Sequence, residues 1–272
     1  MKLKCFGTGA AEAIPALYCS CPLCEKAREI GGKEIRGRHL STVDGVIQFD
    51  IGQDLFYQIQ VLGLDPRKIR HLVITHSHSD HFDLDALNKR GSPFSLALDN
   101  RMEVIGSQET ISLVQSGIEG DFAHQGLIPR AARPYEALAL DGETTLTALP
   151  ANHAPGTGAM IYVLERKGRK LLYAHDTGPL FPEVISWLSG RQLDGATLDC
   201  TGAYKGAGAH HMQLSTCGEA VSALHGNGGL KKDGVIILSH FSHGGGALHA
   251  QLEQEAEKRG WIAAYDGMEI EI

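Results

Sequence analysis

Thr75-His76-Ser77-His78-Ser79-Asp80-His81 places four side chains of metal-ligand type within six positions. The stretch continues the apolar run 71–75, which predicts a β-strand. A short loop at a strand end can turn its imidazoles and its carboxylate to one side. Neutral imidazole and carboxylate suit Zn²⁺, Mn²⁺ or Fe ions. A solvated histidine-rich turn is the alternative, but the spacing favours a metal-binding loop.

Later residues of the same type also follow predicted strands. They are His153 after 144–149, Asp176 after 170–174, and His240 after 235–238. A single His or Asp after a strand is more often a structural or surface group. Three of them in this order, after the first motif, strengthen the prediction of a metal centre. Asp50, in Phe49-Asp50-Ile51-Gly52, is an earlier carboxylate at a strand end.

The order of these motifs resembles that of the metallo-β-lactamase superfamily. The resemblance implies an α/β fold, a four-layer αβ/βα sandwich with metals at one edge between the sheets. It also implies a hydrolase in which a hydroxide bridging two divalent metals (Zn, Mn or Fe) is the nucleophile. The implied ligands are His76, His78 and His153 for one metal, and Asp80, His81 and His240 for the other, with Asp176 bridging both. Asp80 is also expected to act in catalysis, and Asp50 to support the site.

A second cluster lies near the N-terminus, where Cys19-Ser20-Cys21-Pro22-Leu23-Cys24 forms a Cys-x-Cys-x-x-Cys pattern. Three thiolates lack one ligand for a closed tetrahedral zinc site. His243, three residues after His240, is a plausible fourth ligand. The alternative is a redox cluster or cysteines buried in the core.

Together with Gly7-Thr8-Gly9-Ala10-Ala11 and His240-Phe241-Ser242-His243, this cluster resembles the phosphodiesterases of the carbon–phosphorus lyase pathway and their relatives. The resemblance implies cyclic ribose phosphodiesters as substrates and a structural zinc held by the cysteines and His243. A cofactor-biosynthesis protein of the pyrroloquinoline quinone pathway has a related cysteine pattern, and ribonuclease Z shares the core motifs. The resemblance also implies a histidine just before a helix that helps the leaving group or the phosphate. After the glycine-rich stretch 202–208, His211 fits this role of general acid better than His210, because it lies nearer the start of the predicted helix. A surface histidine is the alternative.

Hydrolysis of a small phosphodiester is therefore the favoured function. Three alternatives stay open: a lactone or thioester hydrolase, a metal-dependent binding protein without catalysis, and ribonuclease Z-like processing. The chain of 272 residues has a formal net charge of −7 and no Lys/Arg-rich run, which argues against broad nucleic-acid binding. We expect a cytoplasmic protein without a signal peptide or membrane partner. Whether it forms a homodimer stays an open question.

The rest of the chain predicts a single domain over residues 1–272, with 83–134 as a candidate loop or lid insertion. Further predicted strands are 3–6, 43–49, 103–105, 159–164, 195–198 and 268–272. Predicted helices are 22–30, 107–115, 180–188, 213–225 and 248–259, the fourth with a capping box of Thr216 and Glu219. Cys5, Cys200 and Cys217 are expected in the core, and His39, His124, His225 and His249 at the surface.

Overall fold

The computed structural model describes residues 1–206 and 208–272 and contains two β-sheets flanked by helices. Ala207, in the glycine-rich stretch expected as a loop, lies outside the described residues. The strands are β1 (Lys2–Gly7), β2 (Leu40–Val43), β3 (Ile47–Phe49), β4 (His71–Val73), β5 (Met102–Gly106), β6 (Leu127–Ala131), β7 (Ala137–Asp141), β8 (Thr144–Pro150), β9 (Met160–Arg166), β10 (Arg169–Ala174), β11 (Leu193–Asp199), β12 (Leu230–Ser239), β13 (Ile262–Ala263) and β14 (Glu269–Glu271). The α-helices are α1 (Pro22–Ile30), α2 (Leu55–Gln60), α3 (Leu84–Asn88), α4 (Gln108–Gly117), α5 (Pro182–Leu188), α6 (Leu214–Gly226) and α7 (His249–Glu257). Among the described residues, no helix is long and apolar enough to cross a membrane.

Each sheet has seven strands. The first has the order β14-β1-β2-β3-β4-β5-β6, and the second has the order β13-β12-β11-β10-β9-β8-β7. From β3 to β6 the neighbouring strands are parallel, and so are those from β10 to β13. Parallel strands place their carboxyl ends at one edge, so loops that follow β3, β4, β10, β11 and β12 can meet there.

The inner faces of the two sheets form one apolar core. Phe49 of β3 stacks on Tyr173 of β10 with ring centroids 3.9 Å apart and planes inclined by 14°. Val73 and Ile105 of the first sheet and Leu164 of the second belong to the same buried cluster. Since side chains alternate along a strand, the neighbouring residues face outward.

Helices cover both outer faces. On the second sheet, α5, α6 and α7 pack residues such as Leu188, Leu224 and Leu252 into a cluster that includes Leu198 and Leu238 of the strands. On the first sheet, the core lies between strand residues and helix residues: Leu72, Val104, Ile111 and Val114. The order helix, sheet, sheet, helix confirms the predicted four-layer sandwich.

Two parts of the predicted organisation differ. The stretch 43–49 is not one strand but the end of β2 and all of β3, because Asp44 and Gly45 turn the chain with φ of 50° and 66°. The segment 83–134 is not a loop insertion, since it contains α3, β5, α4 and β6, and both strands extend the first sheet. The predicted strand 103–105 and helix 107–115 are present as β5 and α4, whereas α3 and β6, of five residues each, are too short to show a clear periodicity.

Helix α6 is capped earlier than predicted. It begins at Leu214, and the backbone N–H of Gln213 donates to Oγ1 of Thr216 over 2.9 Å. Thr216 is therefore the third helical residue, and the predicted pair of Thr216 with Glu219 is wrong by three positions.

The aromatic stack between the sheets leads to a stability prediction. Phe49→Ala removes a fully buried ring and leaves a cavity, so the free energy of unfolding should fall by about 3–5 kcal/mol. Guanidinium unfolding at one fixed metal concentration measures this change. The matched control is Phe56→Ala in α2, where the side chain is 65% exposed and the change should stay below about 0.5 kcal/mol. Similar losses in both variants would contradict the assigned packing.

Candidate metal centre

The ends of six strands supply the polar residues at one edge of the sandwich, and His153 is the one that follows β8. Asp176 lies two residues after β10, Asp199 ends β11, and His240 follows β12. From the first sheet, Asp50 follows β3, and the loop that begins at Thr75 follows β4. Asp50, Asp176 and His240 have φ of 65°, 51° and 62°, so the backbone turns sharply where each strand ends.

The first group of candidate ligands consists of His76, His78, His153 and Asp176. Nε2 of His76 lies 2.9 Å from Nδ1 of His78, which lies 3.2 Å from Nε2 of His153. Oδ2 of Asp176 is 3.1 Å from Nε2 of His76. A tetrahedral zinc with bonds of about 2.0–2.1 Å spaces its ligand atoms about 3.3 Å apart, so these atoms fit around one ion.

The second group consists of Asp80, His81, Asp176 and His240. Nε2 of His81 lies 3.2 Å from Oδ2 of Asp80, 3.3 Å from Oδ2 of Asp176 and 3.3 Å from Nε2 of His240. The same Asp176 oxygen therefore faces both groups. All seven residues predicted as ligands meet at this edge, with Asp176 between the two sets.

The electrostatics of the two groups suit a divalent cation. Burial acts to raise the pKa of Asp176, but the surrounding histidines, His240 first, hold it well below its usual range. Oδ1 of Asp176 is buried and has no hydrogen-bond partner among the described residues. Burial lowers the pKa of His76 to about 4, which keeps its imidazole neutral, the form that binds metal.

Asp50 orients the loop that carries His76 to His81. Oδ1 of Asp50 accepts the backbone N–H of Thr75 over 2.7 Å, and Oδ2 is 2.8 Å from Nδ1 of His81. Because Nδ1 of His81 is held in this way, Nε2 is left for the second group. A carboxylate behind a metal-ligating histidine fixes its tautomer and ring orientation.

Two buried histidines lie beneath the second group: His175, whose place in the sequence next to Asp176 suggested a supporting role, and His39. His39 was expected at the surface, but it is fully buried because β2 begins at the next residue and carries it between the sheets. Nε2 of His39 lies 2.7 Å from Nδ1 of His175, and burial lowers the pKa of both rings, that of His175 to about 3. His249 is also buried, beside the guanidinium of Arg36, which contradicts its expected surface position.

His211 lies beside the carboxylate of Asp176, and His210 does not. Nδ1 of His211 is 3.1 Å from Oδ1 of Asp176 and 3.2 Å from Oδ2 of Asp199. Burial acts to lower the pKa of His211, but the two carboxylates raise it to about 10. The side chain of His210 is exposed, and its carbonyl faces Nδ1 of His153 at 3.4 Å.

Asp199 is the functional residue that sequence reasoning missed. It ends β11, which lies between β10 and β12 in the sheet, and both of those strands lead into candidate ligands. An aspartate at the carboxyl end of the strand between those two was the available signal. That signal needs the strand order, which a pass along the chain does not provide.

The cysteine cluster lies close to His243. Nδ1 of His243 is 3.4 Å from Sγ of Cys19, 3.6 Å from Sγ of Cys21 and 3.3 Å from Sγ of Cys24. Zn–S bonds of about 2.3 Å and a Zn–N bond of about 2.0–2.1 Å give a tetrahedral S···N spacing of about 3.5 Å. The donor set therefore fits a closed zinc site.

The surroundings of the cluster favour a thiolate at Cys21, whereas burial raises the pKa of Cys24 to about 11. Backbone N–H groups of Ala16, Cys21 and Cys24 donate to sulfurs of the cluster over 3.4–3.5 Å. The N–H of Cys24 and the ring of His243 lower the pKa of Cys21 to about 6. The remaining cysteines are buried, as expected: Cys5, Cys200 and Cys217.

Residues 44–241, which include the seven candidate ligands, match the family described as the beta-lactamase superfamily domain. The chain belongs to the beta-lactamase superfamily. The family and the architecture identify it as a hydrolase of the metallo-β-lactamase fold that depends on divalent metal ions, and the resemblance inferred from the motifs is confirmed at this level.

Solved structures of this superfamily share the fold of the whole chain. A diphosphatase of the PhnP family superposes with a TM-score of 0.76 at 20% identity, covering 100% of this chain and 97% of that one. Zinc-bound PqqB from Methylobacterium extorquens gives 0.75 at 15% identity, covering 100% of both chains. Human tRNase Z, short form, gives 0.67 at 18% identity, covering 100% of this chain and 99% of that one.

A curated superfamily relative is ribonuclease Z from Pyrococcus abyssi. It is 29% identical over 130 residues, which are 46% of this chain and 40% of that protein. The alignment thus spans about two fifths of the relative's length, so the likeness covers only part of that protein.

Gly52 packs against the backbone of the loop from Thr75 to His81, and this contact can be tested. A Cβ at this position would lie 2.1 Å from the backbone carbonyl oxygen of Asp80, so Gly52→Ala has to displace that backbone. We expect the affinity for divalent metal to fall by about 10–100-fold, as for other changes behind metal ligands. Zinc titration against a competing chelator measures this. Gly218→Ala, where the nearest atom is 3.9 Å away, should leave the affinity unchanged, and equal affinities in both variants would contradict the assignment.

Proposed function

We propose that this hydrolase is a phosphodiesterase that acts on a small or cyclic phosphodiester with two divalent metals. The observation that carries the proposal is the position of Asp176, whose Oδ2 is within 3.3 Å of a histidine from each ligand group. His76, His78 and His153 would hold one ion, and Asp80, His81 and His240 the other. Two such ions supply a water of lowered pKa and stabilise charge on the phosphoryl oxygens.

The protein residues around Asp176 supply the proton transfers. The oxygen of the attacking water forms a bond to phosphorus, and the bond to the leaving alkoxide breaks. His211, protonated and partly exposed beside Asp176, donates a proton to that alkoxide. The proton of the water passes to Asp80 and on to solvent; the side chain of Asp80 is 10% exposed, so it can face the substrate.

Two similar proteins support a phosphorus centre as the target. One is named a diphosphatase and the other a ribonuclease, and both names describe hydrolysis at phosphorus. The net charge of −7 argues for a small substrate over broad nucleic-acid binding, because no basic run is available to neutralise many phosphates. A lactone or thioester hydrolase is the competing activity, since the same metals can polarise a carbonyl.

We further propose a structural zinc at Cys19, Cys21, Cys24 and His243. Thiolates and imidazole leave no open position in a tetrahedral site, so this ion would have no catalytic role. All six cysteines are free of disulfides, which suits a reducing compartment and supports a cytoplasmic location. A homodimer stays a prediction.

The dinuclear proposal is tested at the shared carboxylate. Asp176→Ala removes one ligand from each group, so elemental analysis should show about two metal equivalents lost. Turnover of bis(p-nitrophenyl) phosphate should fall by at least about 10³-fold. The zinc of the cysteine cluster should remain, which makes that cluster an internal control. A wild-type protein that binds metal and opens lactones but no phosphodiester would replace the phosphodiesterase proposal with the lactone alternative.

The structural zinc is tested by the reciprocal variant. Cys21→Ser should lose one zinc equivalent and lower the melting temperature, because the ion crosslinks two loops. Its turnover should stay within about tenfold of wild type where the protein is folded, since the His/Asp groups are untouched. Cys5→Ala, which removes a buried cysteine outside the cluster, should keep its zinc. An unchanged zinc content in Cys21→Ser would rule out the site.

A further inference from the structure

Asp199 ties together the two ends of the loop that carries His211. Its side chain is fully buried at the end of β11. Oδ1 accepts the backbone N–H of Thr201 and that of Met212, each over 3.0 Å. One carboxylate oxygen therefore holds the chain just after β11 and just before α6.

The second oxygen of Asp199 faces the reacting groups. Oδ2 lies 3.2 Å from Nδ1 of His211 and 3.1 Å from Oγ1 of Thr201. Oγ1 of Thr201 in turn lies 2.8 Å from Nδ1 of His240. A hydrogen-bonded chain thus runs from the candidate ligand His240 through a hydroxyl to the carboxylate that also holds His211.

We propose that Asp199 is the positioning residue of the leaving-group side of the site: it holds His211 by Nδ1 and, through Thr201, orients His240. The inference rests on the proposed function, because the leaving group is the target of His211. Because Nδ1 of His211 is held by the buried carboxylate of Asp199, Nε2 on the opposite edge of the ring is the nitrogen available to the leaving group; the side chain is 26% exposed.

Asp176 lies almost as close to the His211 ring but does not form a hydrogen bond to it. Oδ1 of Asp176 is 3.1 Å from Nδ1 of His211, almost the same distance as Oδ2 of Asp199. Asp176 is the proposed bridge, so its electron pairs are drawn toward the cations when metal binds. Asp199 belongs to neither of the two groups proposed to hold the metals, so it would remain the acceptor that keeps His211 oriented.

Replacing Asp199 with asparagine would reverse the direction of its hydrogen bond to His211 without changing the shape of the side chain. Two backbone N–H groups face Oδ1, so in Asp199→Asn the carbonyl oxygen of the new amide would stay there, and its NH₂ would occupy the position of Oδ2. That group donates, so Nδ1 of His211 becomes an acceptor without a proton, and the ring is left neutral with its proton on Nε2. In histidine–carboxylate pairs, the wrong tautomer lowers kcat by up to about 10⁴-fold.

The test compares wild type and Asp199→Asn, both loaded with zinc. Nitrogen-15 NMR of the histidine rings should find Nδ1 of His211 protonated in wild type and unprotonated in the variant, with the signal assigned by His211→Gln. Turnover of 2′,3′-cyclic AMP, whose leaving group is an alkoxide, should fall by about 10²–10⁴-fold in kcat. KM should change by less than about threefold. Turnover of bis(p-nitrophenyl) phosphate, whose leaving group needs no proton, should fall by less than about tenfold.

Asp194→Asn is the matched control, because Asp194 is a buried aspartate on the same strand that pairs with Arg169 and Lys231. It should alter neither the tautomer nor the leaving-group dependence. Equal losses on both substrates, or Nδ1 of His211 unprotonated in wild type, would overturn the proposal. Even if Asp199→Asn does not fold, the wild-type spectrum tests the proposal, because it shows whether Nδ1 of His211 is protonated.

Metal analysis separates positioning from ligation. The donor atoms of Asp176, Asp199, His211 and His240 lie within 4.8 Å of one another, so a cation there would make Asp199 a ligand. At saturating zinc, Asp199→Asn should keep every metal equivalent, and loss of one would overturn the positioning role. If wild type hydrolyses no phosphodiester, the proposed function fails. The NMR result still tests whether Asp199 orients His211, because it measures the protonation of Nδ1 directly.

Discussion

The candidate site depends on one buried carboxylate, that of Asp176, which faces histidines from both sheets. An ionised carboxylate in an interior costs several kcal/mol unless it is compensated by partners of opposite charge or by strong hydrogen bonds. His76, His81 and His211 each approach Asp176 within 3.3 Å, and Oδ1 keeps unused acceptor capacity. Such an arrangement is stable only with protonated histidines or with cations. Divalent metals release those protons and replace their charge.

This convergence requires the two sheets to stand at a fixed distance. The loop from Thr75 to His81 belongs to the first sheet, whereas Asp176 and His240 belong to the second. The stack of Phe49 on Tyr173 lies between the sheets, and Tyr173 is two residues before His175 on the strand that leads to Asp176. The aromatic core and the metal site are thus one continuous structure. Changes in the core that shift the sheets will move ligands relative to one another.

The predictions that succeeded depended on residues close together in the chain. The loop from His76 to His81 and the cysteine triplet each hold most of a ligand set within six positions, so spacing alone reveals them. Asp199 and His39 act through neighbours in the sheets, and their roles appear only once the strand order is known. The segment 83–134 was misjudged because α3 and β6, of five residues each, carry too little periodicity to separate them from loops.

The cysteine cluster has a physical reason to lie where it does. The N-terminal loop before α1 exposes Leu17 and Tyr18 almost completely, so this part of the loop gains little from apolar burial. The loop nevertheless pairs with the segment after β12: Phe241 donates its N–H to Thr8 and accepts that of Ala10, each over 2.9 Å. A zinc bound by three cysteines of the loop and by His243 would crosslink these segments without a larger core. Since His240 is three residues from His243, the same crosslink would limit the movement of a catalytic ligand.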